Sequence, residues 1–161
     1  MVTNVDKPVR DAQSAQLPME HRGQSLVSTR WDNAGSVVHS EIKGVLERSA
    51  AAWSAGDLDT FMACYENSPD TIYLTATQIV SGYADIRSMY AERFGAEGGN
   101  SMGELTVKLL RVTRIGSEHI LAVGLYSLHG VEFAEGRHMG MCSLVLHTTA
   151  DGWRICADHT S

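Results

Sequence analysis

Past Gly103 the chain carries four runs of β-type residues and nothing with a helical period, while almost everything before that point is helical. Glu104 to Ile115 alternates around Leu105, Val107, Leu109 and Val112, and Gly116-Ser117 turns it. His119 to His129 follows, then a looser Gly130 to Gly136 connection. Arg137 to Thr148, a turn at Ala150-Asp151-Gly152, and Trp153 to Thr160 complete the set. Helices segregated from a strand meander specify an α+β fold rather than a βαβ fold. Glycines inside long strands, here Gly124 and Gly140, predict a strongly curved sheet.

The helical half has a clear period. Val38, Ile42, Val45, Leu46, Ser49, Ala50 and Trp53 recur at three- and four-residue steps and share one stripe. Ser36 is expected as the N-cap, and Gly56 as a left-handed stop. Asp57 caps a second short helix from Leu58 to about Glu66, with Phe61, Met62 and Tyr65 inward. Thr71 to Thr77 reads as an early strand, and Tyr83 to Phe94 as a third helix with Ile86, Met89 and Tyr90 inward. Three N-terminal helices covering the hollow of a cone-like, curved antiparallel sheet leave a pocket between them.

Residues 1–35 differ in character. They are rich in Gln, Ser, Thr, Asn and Asp, contain Pro8 and Pro18, and have one anchor, Trp31. They read as a polar arm lying across the domain or across a partner subunit. Residues 36–161 are the folded domain. A chain of 161 residues fits one such unit. A net charge of −6 without a Lys/Arg run argues against nucleic acid and anionic membrane as partners. No apolar run approaches the ~20 residues of a membrane span, and Met1 to Glu20 lacks the apolar region of a signal peptide. Cys64, Cys142 and Cys156 lack a CxxC spacing, so buried reduced thiols in a cytoplasmic protein are expected.

Three local words resemble a known superfamily. Ala55-Gly56-Asp57-Leu58-Asp59 with Tyr65 is similar to the turn between the first two helices of SnoaL-like proteins. Ser81-Gly82 with Ile86-Arg87 is similar to their approach to the third helix. Gly152-Trp153-Arg154-Ile155 with Asp158-His159-Thr160-Ser161 is similar to their ending. In this order they identify residues 36–161 as a member of the SnoaL-like, nuclear transport factor 2-like superfamily. The ending most resembles the uncharacterised bacterial SnoaL-like group and the association domain of calcium/calmodulin-dependent protein kinase II. The resemblance implies a pocket of the kind used by ketosteroid isomerases, polyketide cyclases and dehydratases, and pairing of subunits through the sheet face. It does not fix a reaction.

Some of the chemistry in the superfamily is missing here. The isomerase's base would fall at Tyr73, a phenol that is a poor base at neutral pH. Its oxyanion-hole tyrosine would fall at Ser49, and its protonated aspartate near Ser143-Leu144-Val145. The pocket arginines of the kinase association domain would fall at Leu125, Ser143 or Leu144, and Thr160. Neither the isomerase mechanism nor an anionic ligand held by arginine is therefore expected.

Strand alternation places Arg154, Cys156, Asp158 and Thr160 on one face. The resemblance turns that face toward the cavity, together with Leu121, Val123, Leu125, Ser127 and His129 on one strand and Met139, Met141, Ser143, Val145 and His147 on another. Asp158 is either an acid–base group in an apolar hollow or a carboxylate paired with Arg154. Tyr73 and His129 are the other acid–base candidates. Ser49, Trp53, Tyr90, Leu125, Ser143 and Val145 are the candidate ligand contacts. His138, Met139, Met141 and Cys142 form no tetrahedral set, so no metal is expected, and no nucleotide or nucleophile motif calls for a cofactor. The expected function is binding of a small apolar, ring-bearing metabolite. It is either cofactor-free isomerisation, cyclisation or dehydration, or a non-catalytic binding or assembly module, as a homodimer in both cases.

Overall fold

The computed structural model describes residues 34–94, 102–130 and 137–161, with backbone only at 93, 94 and 137. All of the expected arm except Ala34 and Gly35 lies outside the described residues, Trp31 included.

Helix α1 runs Ser36–Ser54 and buries Ile42, Val45, Leu46, Ser49, Ala50 and Ala52 along one stripe. Its N-cap is Gly35, which makes no side-chain cap, so the expectation for Ser36 is corrected. The helix ends as the sequence indicates. Gly56 takes φ 69°, Gly56 N donates to Trp53 O and Asp57 N to Ala52 O, which satisfies the last carbonyls. The Asp57 carboxylate then accepts from Thr60 N at 3.0 Å and starts α2, Leu58–Met62.

The early β segment is a hairpin of two short strands, β1 (Ile72–Leu74) and β2 (Ile79–Ser81). Helix α3 spans Tyr83–Phe94. The long strands are β3 (Glu104–Ile115), β4 (His119–His129), β5 (Arg137–Thr149) and β6 (Gly152–Thr160). They form one curved, unclosed sheet in the order β2-β1-β6-β5-β4-β3. The fold is α+β, as the segregation of elements predicts. One pairing departs from an all-antiparallel expectation: β1 lies parallel to β6, placing Tyr73 opposite Asp158. The connection between them runs through β2, α3 and β3 to β5, far more than the crossover length that a parallel neighbour requires.

Two irregularities shape the sheet. The β3–β4 register shifts between Leu109 and Arg111, and the β5–β6 register shifts between Val145 and Leu146. On β6 the extra residue is Cys156, since Leu146 faces Ile155 and Val145 faces Ala157. Each bulge bends and twists its strand. The concave face packs Val112, Ile120, Ala122, Leu144, Leu146 and Ile155 against Ile42, Leu46, Phe61, Met62 and Ile86 from the helices. Full burial of such a side chain contributes roughly 1.5–3 kcal/mol each, and Ile42, Met62, Ile86, Ile120 and Leu146 have no exposed surface.

Candidate functional site

The core does not fill the hollow. A cavity of about 410 Å³ remains between the helices and the concave face. Helix α1 contributes Leu46, Ser49 and Trp53; the segment through α2 contributes Phe61 and Tyr65; α3 contributes Tyr90. The sheet contributes Tyr73 from β1, Leu105 and Val107 from β3, Tyr126 and Leu128 from β4, His138, Cys142 and Leu144 from β5, and Asp158 and Thr160 from β6. Thr75, Ala76, Thr77 and Ser161 form part of the rim. Apart from Asp158 and His138 the lining is apolar or neutral, and no Lys or Arg lines it among the described residues.

Asp158 reaches the cavity through the bulge. In a regular strand it would point away from Ile155; the extra residue at Cys156 brings Ile155 and Asp158 to the same face. The side chain is 7% exposed. Tyr65 donates to Oδ2 at 2.6 Å and Thr160 donates to Oδ1 at 3.0 Å. Burial raises the carboxyl above its usual range, and those two hydrogen bonds with the nearby His159 only partly offset this. A chain of phenols continues from it: Tyr90 hydrogen-bonds both Tyr65 and Tyr73. Burial, and then the negative charge of Asp158, hold Tyr65 and Tyr90 well above the ordinary phenol value. These are therefore protonated donors at neutral pH. The rings of Phe61, Tyr65, Tyr73 and Trp53 surround Tyr90 at centroid distances of 5.0–6.5 Å in tilted or edge-on contacts.

A second polar group lies on the β4–β5 side. Tyr126 Oη and His138 Nε2 are 3.1 Å apart, and their rings stack at 5.5 Å. Between them and the rim, Gly140 has no side chain for a physical reason. A Cβ there would lie 1.9 Å from Ser161 O and 2.8 Å from both the ring edge and the hydroxyl of Tyr126. Cys142 lies deeper, its thiol raised to about 11 by burial, which removes it as a nucleophile at neutral pH.

Five of the sequence candidates meet in this cavity: Asp158, Tyr73, Ser49, Trp53 and Tyr90. Trp53 is oriented by donating Nε1–H to Met102 O at 2.7 Å. The others do not. Leu125, Ser143 and Val145 project from the outer face of the sheet, because their cavity-facing neighbours are Gly124, Cys142 and Leu144. His129 also lies outside the cavity, where Nε2 is 2.9 Å from Ser127 Oγ. Arg154 and Cys156 do not share a face with Asp158, and Arg154 instead donates to Trp153 O at 3.0 Å. Sequence reading also missed Tyr65, Tyr126 and His138 as cavity residues. For Tyr65 the Ala55-Gly56-Asp57 word carried a signal, since it fixes how α2 ends. Among the described residues no group of three His, Cys, Asp or Glu could hold a metal, and no helix is long and apolar enough to cross a membrane.

Solved structures share the architecture. An NTF-2-like protein of unknown function from Shewanella oneidensis is 22% identical, with 77% of this chain and 98% of that one covered at a TM-score of 0.69. An NTF2-like superfamily protein from Salmonella enterica is 22% identical, with 78% and 91% covered at 0.63. A Thiobacillus denitrificans protein named for the calcium/calmodulin-dependent protein kinase type II association domain is 23% identical, with 74% and 92% covered at 0.60. No match was found among curated protein sequences. The SnoaL-like domain profile matches residues 42–161, which contain every described element from most of α1 to the end of β6 and every residue of the cavity. The chain therefore belongs to the SnoaL-like domain family.

Proposed function

We propose that this protein binds a small, uncharged, largely apolar molecule in the cavity and moves protons on it through Asp158, without a cofactor. The observation that carries the reading is the state of that carboxyl: buried, without a cation among the described cavity residues, and held by two hydroxyl donors. A carboxyl whose affinity for its proton is raised can donate to a carbonyl oxygen and take a proton back within one catalytic cycle. The absence of Lys and Arg from the described lining supports an uncharged ligand, since a carboxylate or phosphate would enter without a partner. Isomerisation, cyclisation and dehydration of a ring-bearing carbonyl compound all need only such proton transfers. The test is a panel of cyclic ketones assayed with the wild type and with Asp158→Asn. Turnover by the wild type and its loss in a folded, ligand-binding Asp158→Asn variant is the expected result. Equal turnover by both removes Asp158 from the reaction.

A second reading, a non-catalytic assembly module, is favoured by the outer face of the sheet. Met139 and Met141 are 48% and 41% exposed there, beside the half-buried Leu121, Val123, Leu125 and Val145. Such a patch suits burial against a second copy as a homodimer. The two readings are compatible, because the patch and the cavity occupy opposite faces of the sheet.

A further inference from the structure

We infer that the cavity's ligand carries a weakly basic ring nitrogen, which enters uncharged, takes the proton of Asp158 and is then held as a cation between that carboxylate and the aromatic walls. This rests on the reading that the cavity binds a small uncharged molecule, and it names the group that receives the proton.

Three observations converge on a nitrogen base. First, the carboxyl is arranged as an anion that lacks a counter-ion. Both of its oxygens accept a hydroxyl, Oδ2 from Tyr65 at 2.6 Å and Oδ1 from Thr160 at 3.0 Å, and such donors favour the ionised form. Burial at 7% exposure opposes it, and no Lys or Arg among the described cavity residues offsets that cost. What is missing is one positive charge, and an ionised carboxylate has lone pairs left for a further donor. Second, the field of this carboxylate spans the hollow. After burial, its charge is the next cause that raises both Tyr90 on α3 and Cys142 on β5. Third, the walls are aromatic. Trp53, Phe61, Tyr65, Tyr73, Tyr90 and Tyr126 all line the hollow. A ring face attracts a cation within about 6 Å of its centroid, most strongly where water is excluded.

The state of charge on entry decides between bases. An alkylammonium leaves a full hydration shell behind before it meets Asp158. A pyridine-type nitrogen, largely uncharged in solution, leaves little, and acquires charge only where the carboxylate and the rings stabilise it. A carbonyl oxygen is too weak a base to keep the proton, so a ketone is held by a hydrogen bond alone. The transfer balances by itself. The O–H bond of Asp158 breaks, its electron pair stays on the carboxylate oxygen, and the nitrogen lone pair forms the N–H bond. The product is an ion pair with no change in net charge.

The experiment compares isoquinoline with naphthalene, a ring system of the same size without the nitrogen, on the full-length protein at slightly alkaline pH. Calorimetric titration reads affinity, and the ultraviolet spectrum of bound isoquinoline separates the neutral base from its cation. Wild type is expected to bind isoquinoline more tightly than naphthalene by about tenfold or more, with the spectrum of the cation. Asp158→Asn is expected to weaken isoquinoline by about 10²-fold while still binding naphthalene. Thr160→Val, which removes one hydroxyl from the carboxylate, is expected to weaken isoquinoline by about tenfold and naphthalene less. The wild-type spectrum decides the matter whether or not the variants fold. Isoquinoline bound by wild type as the neutral base, or no more tightly than naphthalene, overturns the inference and leaves the binding reading standing, as does unchanged affinity in a folded Asp158→Asn. Binding of neither compound by wild type overturns both.

Discussion

The Tyr65 hydroxyl meets Asp158 Oδ2 at 2.6 Å across 93 positions of sequence. Tyr65 is held by α2 and by its bridge to Ile155, so the donor is fixed to the same strand that carries the acceptor. Replacing it with Phe removes a buried hydrogen bond to an ionisable group. Tyr65→Phe is expected to lower stability by about 1–3 kcal/mol, read from a denaturant midpoint. Because this bond lowers the Asp158 pKa, carboxyl ¹³C NMR should show the Asp158 titration moving upward in the variant.

Asp158 also gives stability a defined pH dependence. Its folded pKa is raised, chiefly by burial, so the folded chain holds this proton more tightly than the unfolded chain. The stabilisation is complete below the unfolded carboxyl value, near ~3.9, and is lost as pH rises through the folded value. The stability of wild type minus that of Asp158→Asn should therefore fall across that window, by at most about 1.4 kcal/mol per pH unit. Denaturation of both proteins at a series of pH values measures it, and a flat difference contradicts a raised carboxyl.

Gly140→Ala tests the seat of Tyr126. The new methyl would collide with Ser161 O, which accepts from Met141 N at 3.1 Å while Ser161 N donates to Met141 O at 3.0 Å. Backbone at the contact cannot rotate away as a flexible side chain would. Destabilisation of about 1–3 kcal/mol is expected, with faster amide exchange at Met141 and Ser161. An unchanged melting temperature would mean that the strand end shifts freely.

Met141→Lys addresses assembly. On a monomer, a lysine at a position 41% exposed should change stability by no more than about 0.5 kcal/mol. At the centre of a dimer patch it would bury a charge. Size-exclusion chromatography at micromolar concentration should show a dimer for wild type and a monomer for the variant. Identical elution volumes for the two proteins exclude this face as the contact.

The helices were readable because their cues are local. The stripe from Val38 to Trp53, the Gly56 stop and the Asp57 cap depend on neighbours a few positions away, and the structure reproduces them. Two ends slipped: the first N-cap, to Gly35, and the end of α2, which stops at Met62 instead of about Glu66. The long strands were equally legible in extent, since alternation and glycine turns bound them. Their facing was not. A single extra residue at Cys156 inverts the phase between Ile155 and Asp158, and no pattern within β6 announces it. Leu125, Ser143 and Val145 were turned inward in the sequence reading because alternation gives the two faces of β4 and β5 but not which one meets the helices; Tyr126, His138 and Cys142 occupy the cavity. The parallel β1–β6 pairing was hidden for a different reason: it joins Tyr73 to Asp158 across most of the domain, and three residues of strand carry too little pattern to name a partner. Tyr65 was visible as a buried aromatic, but its hydroxyl's partner depends on that long-range placement.

The extra residue in β6 also separates two jobs along one strand. Trp153 and Ile155, before it, pack into the core with the helices, whereas Asp158 and Thr160, after it, line the hollow, with Asp158 held by the hydroxyls of Tyr65 and Thr160. A lineage could exchange its ligand by rewriting the strand beyond Cys156 while the half that anchors the fold stays as it is.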